Sequence, residues 1–320
     1  MSTLTTLRGP ARVVVRQHRW TLRIAVALVV LGAAVLAATR LLTARFADRF
    51  AATGCSVEHT VLGCGDTVRS YLDDQYLLHC VLVYAGLLML VLPVLVGAFA
   101  AGPLIARELE TGTYRLAWSQ SVSPARWLAA KLAVPTVLLL AGVSVLSAAF
   151  SWVRGRTGTE YPADWYDAPV YATVGTAPLA HALLGLTVGA LTGLLVRRTV
   201  PAMALAALAV TAVLTAIGTV RKSLWPTEFA LGALDGLTNP WIVESGQITS
   251  SGERLPVDVC WGQGADEARC VAERGITGRF ADYHPASHFW PIQLVETGIL
   301  LALAALALVL AFRMLRRRTG

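Results

Sequence analysis

The chain has 320 residues, of which 55% are apolar and only 15% are charged. A soluble domain carries about 45–50% apolar and about 25% charged residues. Together with a mean hydropathy of +0.59, this composition excludes a soluble domain, a disordered chain and a coiled coil. It favours an all-α membrane protein. The formal net charge of +7 leaves nucleic-acid binding open until the charges are located.

Six stretches are apolar and long enough to cross a bilayer as helices, which takes about 20 residues each. Span one covers residues 22–42. Its basic leader also fits a signal peptide, but no small-residue cleavage site follows, which favours an uncleaved anchor. Pro93 lies inside span two and predicts a kink. Spans two to six are placed at residues 77–101, 132–153, 176–196, 200–220 and 290–312.

The charges are divided unequally between the two sides of the membrane. One side carries fifteen cations against two acids, Glu108 and Glu110, and the other carries twelve cations against seventeen acids. Because cytoplasmic loops are rich in Lys and Arg, we predict that both termini are cytoplasmic. The basic excess is then a topology signal, and we expect a lipid bilayer and no nucleic acid as partner.

The segments between the spans complete a single transmembrane domain. We predict a helix lying on the cytoplasmic surface over residues 1–21, since its arginines repeat every three or four residues. The alternative is a plain basic flank. Long outer loops are placed at residues 43–76 and 221–288, and we expect no soluble domain in either. A chain with this little cytoplasmic sequence cannot house a nucleotide-binding fold.

The five cysteines divide into two outer pairs and one residue inside a span. Cys55 and Cys64 share the first outer loop, and Cys260 and Cys270 share the last. We predict two disulfides in an oxidising exterior, with Cys80 as a packed thiol. Four free thiols are the alternative.

Residues 106–132 read ARELETGTYRLAWSQSVSPARWLAAKL. Gly112, between two threonines, predicts the end of the span-two helix, and Tyr114 begins a short amphipathic helix on the membrane surface. Ser123 is a suitable cap and Pro124 a suitable first residue for the next helix. Trp127 and Lys131 stand where interfacial anchors belong. The segment 106–131 therefore predicts a helix–turn–helix platform facing the cytoplasm.

This platform resembles the coupling loop of ABC type-2 exporter permeases. The family shows an acidic pair, Gly-Thr, Leu, Ser/Pro, Arg and a Lys entering span three. The order departs from the commoner pattern at SVSPAR, where the proline follows the serine. The strings VRRTVPAMA at 196–204 and FWPIQLVETGI at 289–299 look like a bacterial drug-efflux branch. The matching platform positions are Arg107, Glu108, Glu110, Gly112, Thr113, Leu116, Ser123, Arg126 and Lys131.

The resemblance implies a transport subunit without catalytic residues. Two permease copies, identical or different, would form the pathway in a bacterial cell membrane, and a separate ABC ATP-binding subunit would carry ATP and Mg²⁺. Substrates would be hydrophobic or amphipathic and move outward. Glu108, Glu110 and Arg115 would supply polar docking contacts, and Leu116 and Trp118 an apolar wedge. The alternative is a solvated turn with no partner.

Three titratable residues lie inside the spans. A carboxylate at the bilayer centre costs roughly 2.5–3.5 kcal/mol, so Glu296 should face protein or water, protonated or paired with an outer arginine such as Arg40. It acts either as a helix-packing anchor, which we favour, or as a gate. His79 and His181 are expected to be packing groups rather than proton relays. His284 and His288 have a metal-compatible spacing, but Pro285 and the missing third ligand predict no metal.

Other function classes have less support. The chain has no phosphate-binding loop, zinc-protease motif or nucleophile elbow, so we expect no enzyme. A proton-coupled secondary transporter would bury several titratable groups and show repeated halves. That transporter and a non-transporting scaffold or immunity protein remain the alternatives to an exporter subunit.

Overall fold

The computed structural model describes residues 15–16, 19–58, 63–119, 123–155, 161, 163–232, 239–262 and 266–319. Within these residues six helices are long and apolar enough to cross a membrane, which confirms the predicted number. The predicted surface helix over residues 1–21 lies largely outside the described residues, and Arg19 already begins the span-one helix. The spans are Arg19–Ala52, Gly65–Thr111, Pro124–Arg154, Ala177–Val196, Thr199–Ser223 and Ala286–Arg317.

Several helices continue well past their apolar stretches. Span one reaches Ala52 and span two begins at Gly65. The predicted loop 43–76 is therefore mostly helix. Hydropathy placed the ends of the two helices too early because charged residues lower the hydropathy of a stretch. They do not end a helix, since its backbone hydrogen bonds form between nearby residues. The connection between the two helices also carries a disulfide.

Span two changes its helical geometry after the predicted kink position. It is α-helical over Gly65–Leu95, forms a π-helix over Val96–Ala101, and returns to α-helix over Gly102–Thr111. Pro93 lacks the amide hydrogen that a helix interior needs, so the hydrogen-bond register is disturbed at this point. The π-helix lies directly against span four.

Span four is the most buried of the six helices. Glycines allow the close approach of span two: a Cβ on Gly185 would lie 2.2 Å from the carbonyl oxygen of Pro93, and one on Gly189 would lie 2.5 Å from that of Gly97. Small residues at a helix contact are typical of membrane bundles, where packing replaces the hydrophobic effect. Side chains of spans three and six complete the surroundings, including Leu128 and Ala311. The bundle is thus organised around span four.

The last loop contains a folded unit that the sequence prediction did not include. Four antiparallel strands form a sheet in the order β1-β4-β2-β3. Strand β4 pairs with both β1 and β2, for example Ala281 with Ala230 and with Ser245. A short helix, Glu267–Glu273, precedes β4. The strands are β1 Glu228–Leu231, β2 Trp241–Thr249, β3 Arg254–Pro256 and β4 Ile276–His284.

The connectivity gives the bundle two distinct ends. The platform end holds Gly112, Arg197 and the C-terminal part of span six. Arg197 and two side chains of span six line a common cavity there. The sheet end holds the disulfides, the sheet and the segment from residue 163 to 176. At this end Trp165 donates from Nε1 to the carbonyl oxygen of Asn239 at 3.1 Å, which attaches that segment to the strands.

Candidate functional site

The platform has the local structure that its sequence predicts. Gly112 ends the span-two helix with φ of 73°, a left-handed conformation that glycine adopts without strain. A helix follows at Tyr114–Ser119, called here the platform helix. Ser123 then caps span three, accepting a hydrogen bond from the Arg126 amide at 3.4 Å, with Pro124 as the first helical residue. Between the end of span two and the cap of span three, the described chain therefore contains one short helix.

Glu108 binds two side chains of span three. Its carboxylate accepts hydrogen bonds from Trp127 Nε1 at 3.1 Å and from the ammonium of Lys131. The Lys131 side chain is only 6% exposed and that of Glu108 only 17%. Trp127 and Lys131 are thus buried against span two, and their position at the membrane interface stays a prediction. Glu108 therefore finds its cationic partner, Lys131, inside the chain as a buried ion pair.

Glu110 binds the beginning of span five. Its carboxylate accepts hydrogen bonds from the backbone amide of Thr199 at 2.9 Å and from the Thr199 hydroxyl at 2.6 Å. The first amides of a helix have no partner inside the helix and attract negative charge. Glu110 therefore caps span five from a different part of the chain.

The remaining platform residues fall into an exposed and a packed group. Arg107, Arg115 and Arg126 are exposed. Trp118 packs its ring 4.6 Å from Tyr114 and 6.3 Å from Trp127, centroid to centroid. Thr113 accompanies Gly112 in the turn, and Leu116 lies on the platform helix with its side chain outside the described residues. Trp118 is thus packed within the platform, and its role as an apolar wedge for a partner stays a prediction.

A cavity of about 200 Å³ lies beneath the platform helix. Its lining includes Tyr114, Trp118, Leu194, Arg197 and Leu315. Tyr114 and Trp118 also pack against the apolar cluster that contains Leu194 and Leu315. The platform helix therefore contacts spans four and six beside this cavity.

A second polar cluster lies at the sheet end, around Glu296. Arg221 donates to the two carboxylate oxygens from Nε at 2.7 Å and from Nη2 at 3.0 Å, and His181 Nε2 lies 3.1 Å from Oε1. All three side chains are buried, with 0% exposure for Glu296. The expected pairing with an arginine of the outer loops is found, but the arginine is Arg221 and not the suggested Arg40, whose guanidinium stacks 4.1 Å from the Trp152 ring. Glu296 joins span six to spans four and five.

Gln293 completes this cluster one helical turn earlier and was missed in the sequence. Its amide oxygen accepts from the backbone amides of Thr176 at 3.1 Å and Ala177 at 2.9 Å, and its amide nitrogen donates to the carbonyl oxygens of Tyr171 and Val174. Gln293 thus caps span four from span six. The sequence signal that could have identified Gln293 is its position three residues before Glu296, which places both side chains on the same face of the span-six helix.

Tyr171 closes the cluster toward the sheet. Its ring lies 3.9 Å below the Arg221 guanidinium, a cation–π contact. Burial, together with the nearby carboxylate of Glu296, raises the pKa of the Tyr171 hydroxyl. The phenol therefore stays neutral, and the cluster holds its charge on Glu296 and Arg221.

The other predicted residues stand apart from both clusters. His79 lies beside the Tyr161 ring, 5.8 Å between centroids, and its Nδ1 is buried without a hydrogen-bond partner. Both predicted cysteine pairs are at disulfide distance, Cys55 with Cys64 and Cys260 with Cys270, and Cys80 is a free thiol. Among the described residues, no group of three or more His, Cys, Asp or Glu side chains is arranged to hold a metal ion.

The sequence model of the ABC-2 membrane transporter related family matches residues 26–221. This match covers more than half of the chain. The chain belongs to the ABC-2 membrane transporter related family. No curated protein and no solved structure matches it. Membership of this family identifies a multi-pass membrane protein of the ABC transporter permease type, and the matched residues include the whole platform and Arg221.

Proposed function

We propose that this permease is the transmembrane subunit of an ATP-driven exporter in a bacterial cell membrane. Both termini face the cytoplasm, and a separate ABC ATP-binding subunit, carrying ATP and Mg²⁺, docks on the platform. Two permease copies enclose the pathway, and a hydrophobic or amphipathic substrate moves outward. The observation that carries the proposal is the platform itself, whose two carboxylates tie it to two different spans.

The contacts of the platform support a mechanical role. A push on the platform helix reaches span three through Glu108 and Lys131, and reaches span five through Glu110 and Thr199. Both are charge-assisted hydrogen bonds, which are shorter and stronger than neutral ones. The aromatic side chains of the platform helix also pack against the apolar cluster that contains residues of spans four and six, so the same push reaches those two spans.

The same contacts divide the predicted docking residues into two roles. Glu108 and Glu110 are engaged inside the chain, so we assign them to transmission. The exposed guanidinium groups of Arg107, Arg115 and Arg126 are assigned to docking. An acidic surface on the ATP-binding subunit would complement them.

Association with an ATP-binding subunit tests this proposal without knowledge of the substrate. The permease is co-expressed with a candidate ABC ATP-binding subunit from the same genome, and co-purification and ATP hydrolysis in nanodiscs are measured. Arg115→Glu combined with Arg126→Glu should abolish association. Arg274→Glu, at an exposed position of the sheet end, is the matched control. If wild-type protein retains no ATP-binding subunit, the proposal is wrong.

A proton-coupled transporter is the second candidate, and Glu296 is the residue that would carry the proton. Arg221 and His181 already occupy this carboxylate with three contacts, which favours a fixed ion pair. In vesicles, collapse of the proton gradient at constant ATP separates the two candidates, because only the secondary transporter stops. A scaffold protein would respond to neither.

A further inference from the structure

Two histidines meet at the junction between the sheet and span six. His284 is the last residue of β4 and is fully buried, and His288 ends the short turn Ala286–His288 that begins span six. Their Nδ1 atoms lie 3.1 Å apart. The two rings therefore share one hydrogen bond across the junction.

The outer nitrogens of both rings have partners on two further elements. His284 Nε2 lies 2.9 Å from the carbonyl oxygen of Lys222, in the short turn that ends span five. His288 Nε2 lies 3.4 Å from Oε1 of Glu228 in β1. The other oxygen of Glu228 accepts from the Tyr283 hydroxyl at 3.2 Å. A single chain of contacts thus joins span five, β4, span six and β1.

The proton positions follow from the chemistry of these partners. A carbonyl oxygen only accepts, so His284 Nε2 carries a proton and its Nδ1 accepts from His288 Nδ1. An additional proton on His288 Nε2 faces the Glu228 carboxylate and completes an ion pair. A second additional proton must go to His284 Nδ1. It would place two N–H groups opposite each other and two positive rings 5.4 Å apart, which breaks the shared hydrogen bond.

Among the described residues, no charged group besides Glu228 lies close enough to His284 to offset the repulsion between the two rings. The Trp241 ring packs 5.3 Å away, and the Trp225 ring lies 6.5 Å from His288. Lys222 contributes its carbonyl while its side chain is exposed, and Arg221 is bound to Glu296.

The surroundings of His284 act against its protonation on balance. Burial is the main cause that lowers its pKa below the usual 6.5, and His288 lowers it further, against the opposing effects of the Lys222 carbonyl and Glu228. The folded state therefore binds this proton less readily than the unfolded state. Its contribution to stability is full above about pH 6.5 and is lost as the pH falls.

We propose that His284, His288 and Glu228 form an acid-sensitive latch that holds the sheet to spans five and six. At neutral pH the latch is closed, with zero or one additional proton. In acid the second proton separates the two rings and releases the junction beside the Glu296 cluster. The proposal rests on these contacts alone and does not depend on the exporter function.

Histidine-selective ¹⁵N NMR of the purified permease in micelles tests the proton assignment. His284→Gln and His288→Asn assign the signals. At pH 8 His284 should be protonated on Nε2 and unprotonated on Nδ1, and its Nδ1 should gain a proton only below the ordinary histidine pKa of 6.5. Protonation of His284 on Nδ1 at pH 8, or its titration at or above pH 6.5, would overturn the proposal.

Hydrogen–deuterium exchange tests the opening itself. After correction for intrinsic rates, hydrogen exchange of residues 276–288 should rise at least about fourfold when His284 gains its second proton. This factor follows from the repulsion between two unit charges 5.4 Å apart, calculated for bulk water, where it is weakest. His288→Asn keeps a donor toward His284 but removes the second charge, so the rise should shrink. His79→Gln, away from the junction, should retain it. An equal rise in His288→Asn would contradict the latch.

Discussion

Glu296→Gln is the most informative single substitution in the bundle. Glutamine has the shape of glutamate but no charge. Its NH₂ group would replace one carboxylate oxygen and point at a nitrogen that now contacts that oxygen. The Arg221 guanidinium, 7% exposed, is then left buried without its anion. Removing one partner of a buried ion pair costs about 3–5 kcal/mol. We therefore expect the free energy of unfolding to fall by about this amount.

Replacing Arg221 as well should recover much of the loss. In Glu296→Gln/Arg221→Met no charge is left uncompensated, so the double variant should be more stable than Glu296→Gln alone. Unfolding in mixed micelles with increasing SDS measures all variants. Glu244→Gln, an exposed glutamate of β2, should change stability by no more than about 0.5 kcal/mol.

Two results would refute this reasoning. A loss below about 1 kcal/mol in Glu296→Gln would show that the pair contributes little beyond an ordinary membrane hydrogen bond. A double variant no more stable than the single one would show that the uncompensated Arg221 charge is not the cause. If transport stopped while stability held, Glu296 would be a gate rather than a packing anchor.

Three other substitutions test separate parts of the structure. Gly185→Ala places a Cβ 2.2 Å from a backbone oxygen of span two and should cost about 1–3 kcal/mol; Gly218→Ala, a helical position with open space, should instead gain up to about 1 kcal/mol in the same unfolding assay. Glu110→Gln should weaken the cap of span five and lower permease-stimulated ATP hydrolysis, while co-purification of the ATP-binding subunit stays unchanged; lost association would assign Glu110 to docking. Removing the disulfide between Cys260 and Cys270 with serines should increase hydrogen exchange in β2 and β4 but not in the spans, and an increase in the spans would show that the sheet stabilises the bundle.

Local chemistry explains why the spans and the platform were predictable. A bilayer selects apolar stretches of nearly fixed length, so hydropathy identifies the helices directly. Gly112, Ser123 and Pro124 act on the backbone within one helical turn. None of these signals depends on where the rest of the chain lies. They are therefore as readable in the sequence as in the structure.

Partners across the fold were not readable in the same way. Arg40 and Arg221 both lie near outer helix ends in the sequence, and only packing decides that Arg221 reaches Glu296 while Arg40 stacks on Trp152. The sheet shows a related limit. Strands such as ITGRFADYH become stable only by pairing with distant segments, so a charged outer stretch resembles a loop until its partners are known.

One sign did indicate a long-range contact before the fold was known. Glu296 is a charge inside a span, which costs free energy unless a donor from elsewhere in the chain reaches it. Glu108 and Glu110 carried no such sign, because two acids on a strongly basic face are equally suited to bind a partner protein. In the structure the three acids connect span two to spans three and five, and span six to spans four and five. Span five is the helix that both networks share, one at each end. Under the proposed function, a displacement of the platform would therefore reach the Glu296 cluster through span five.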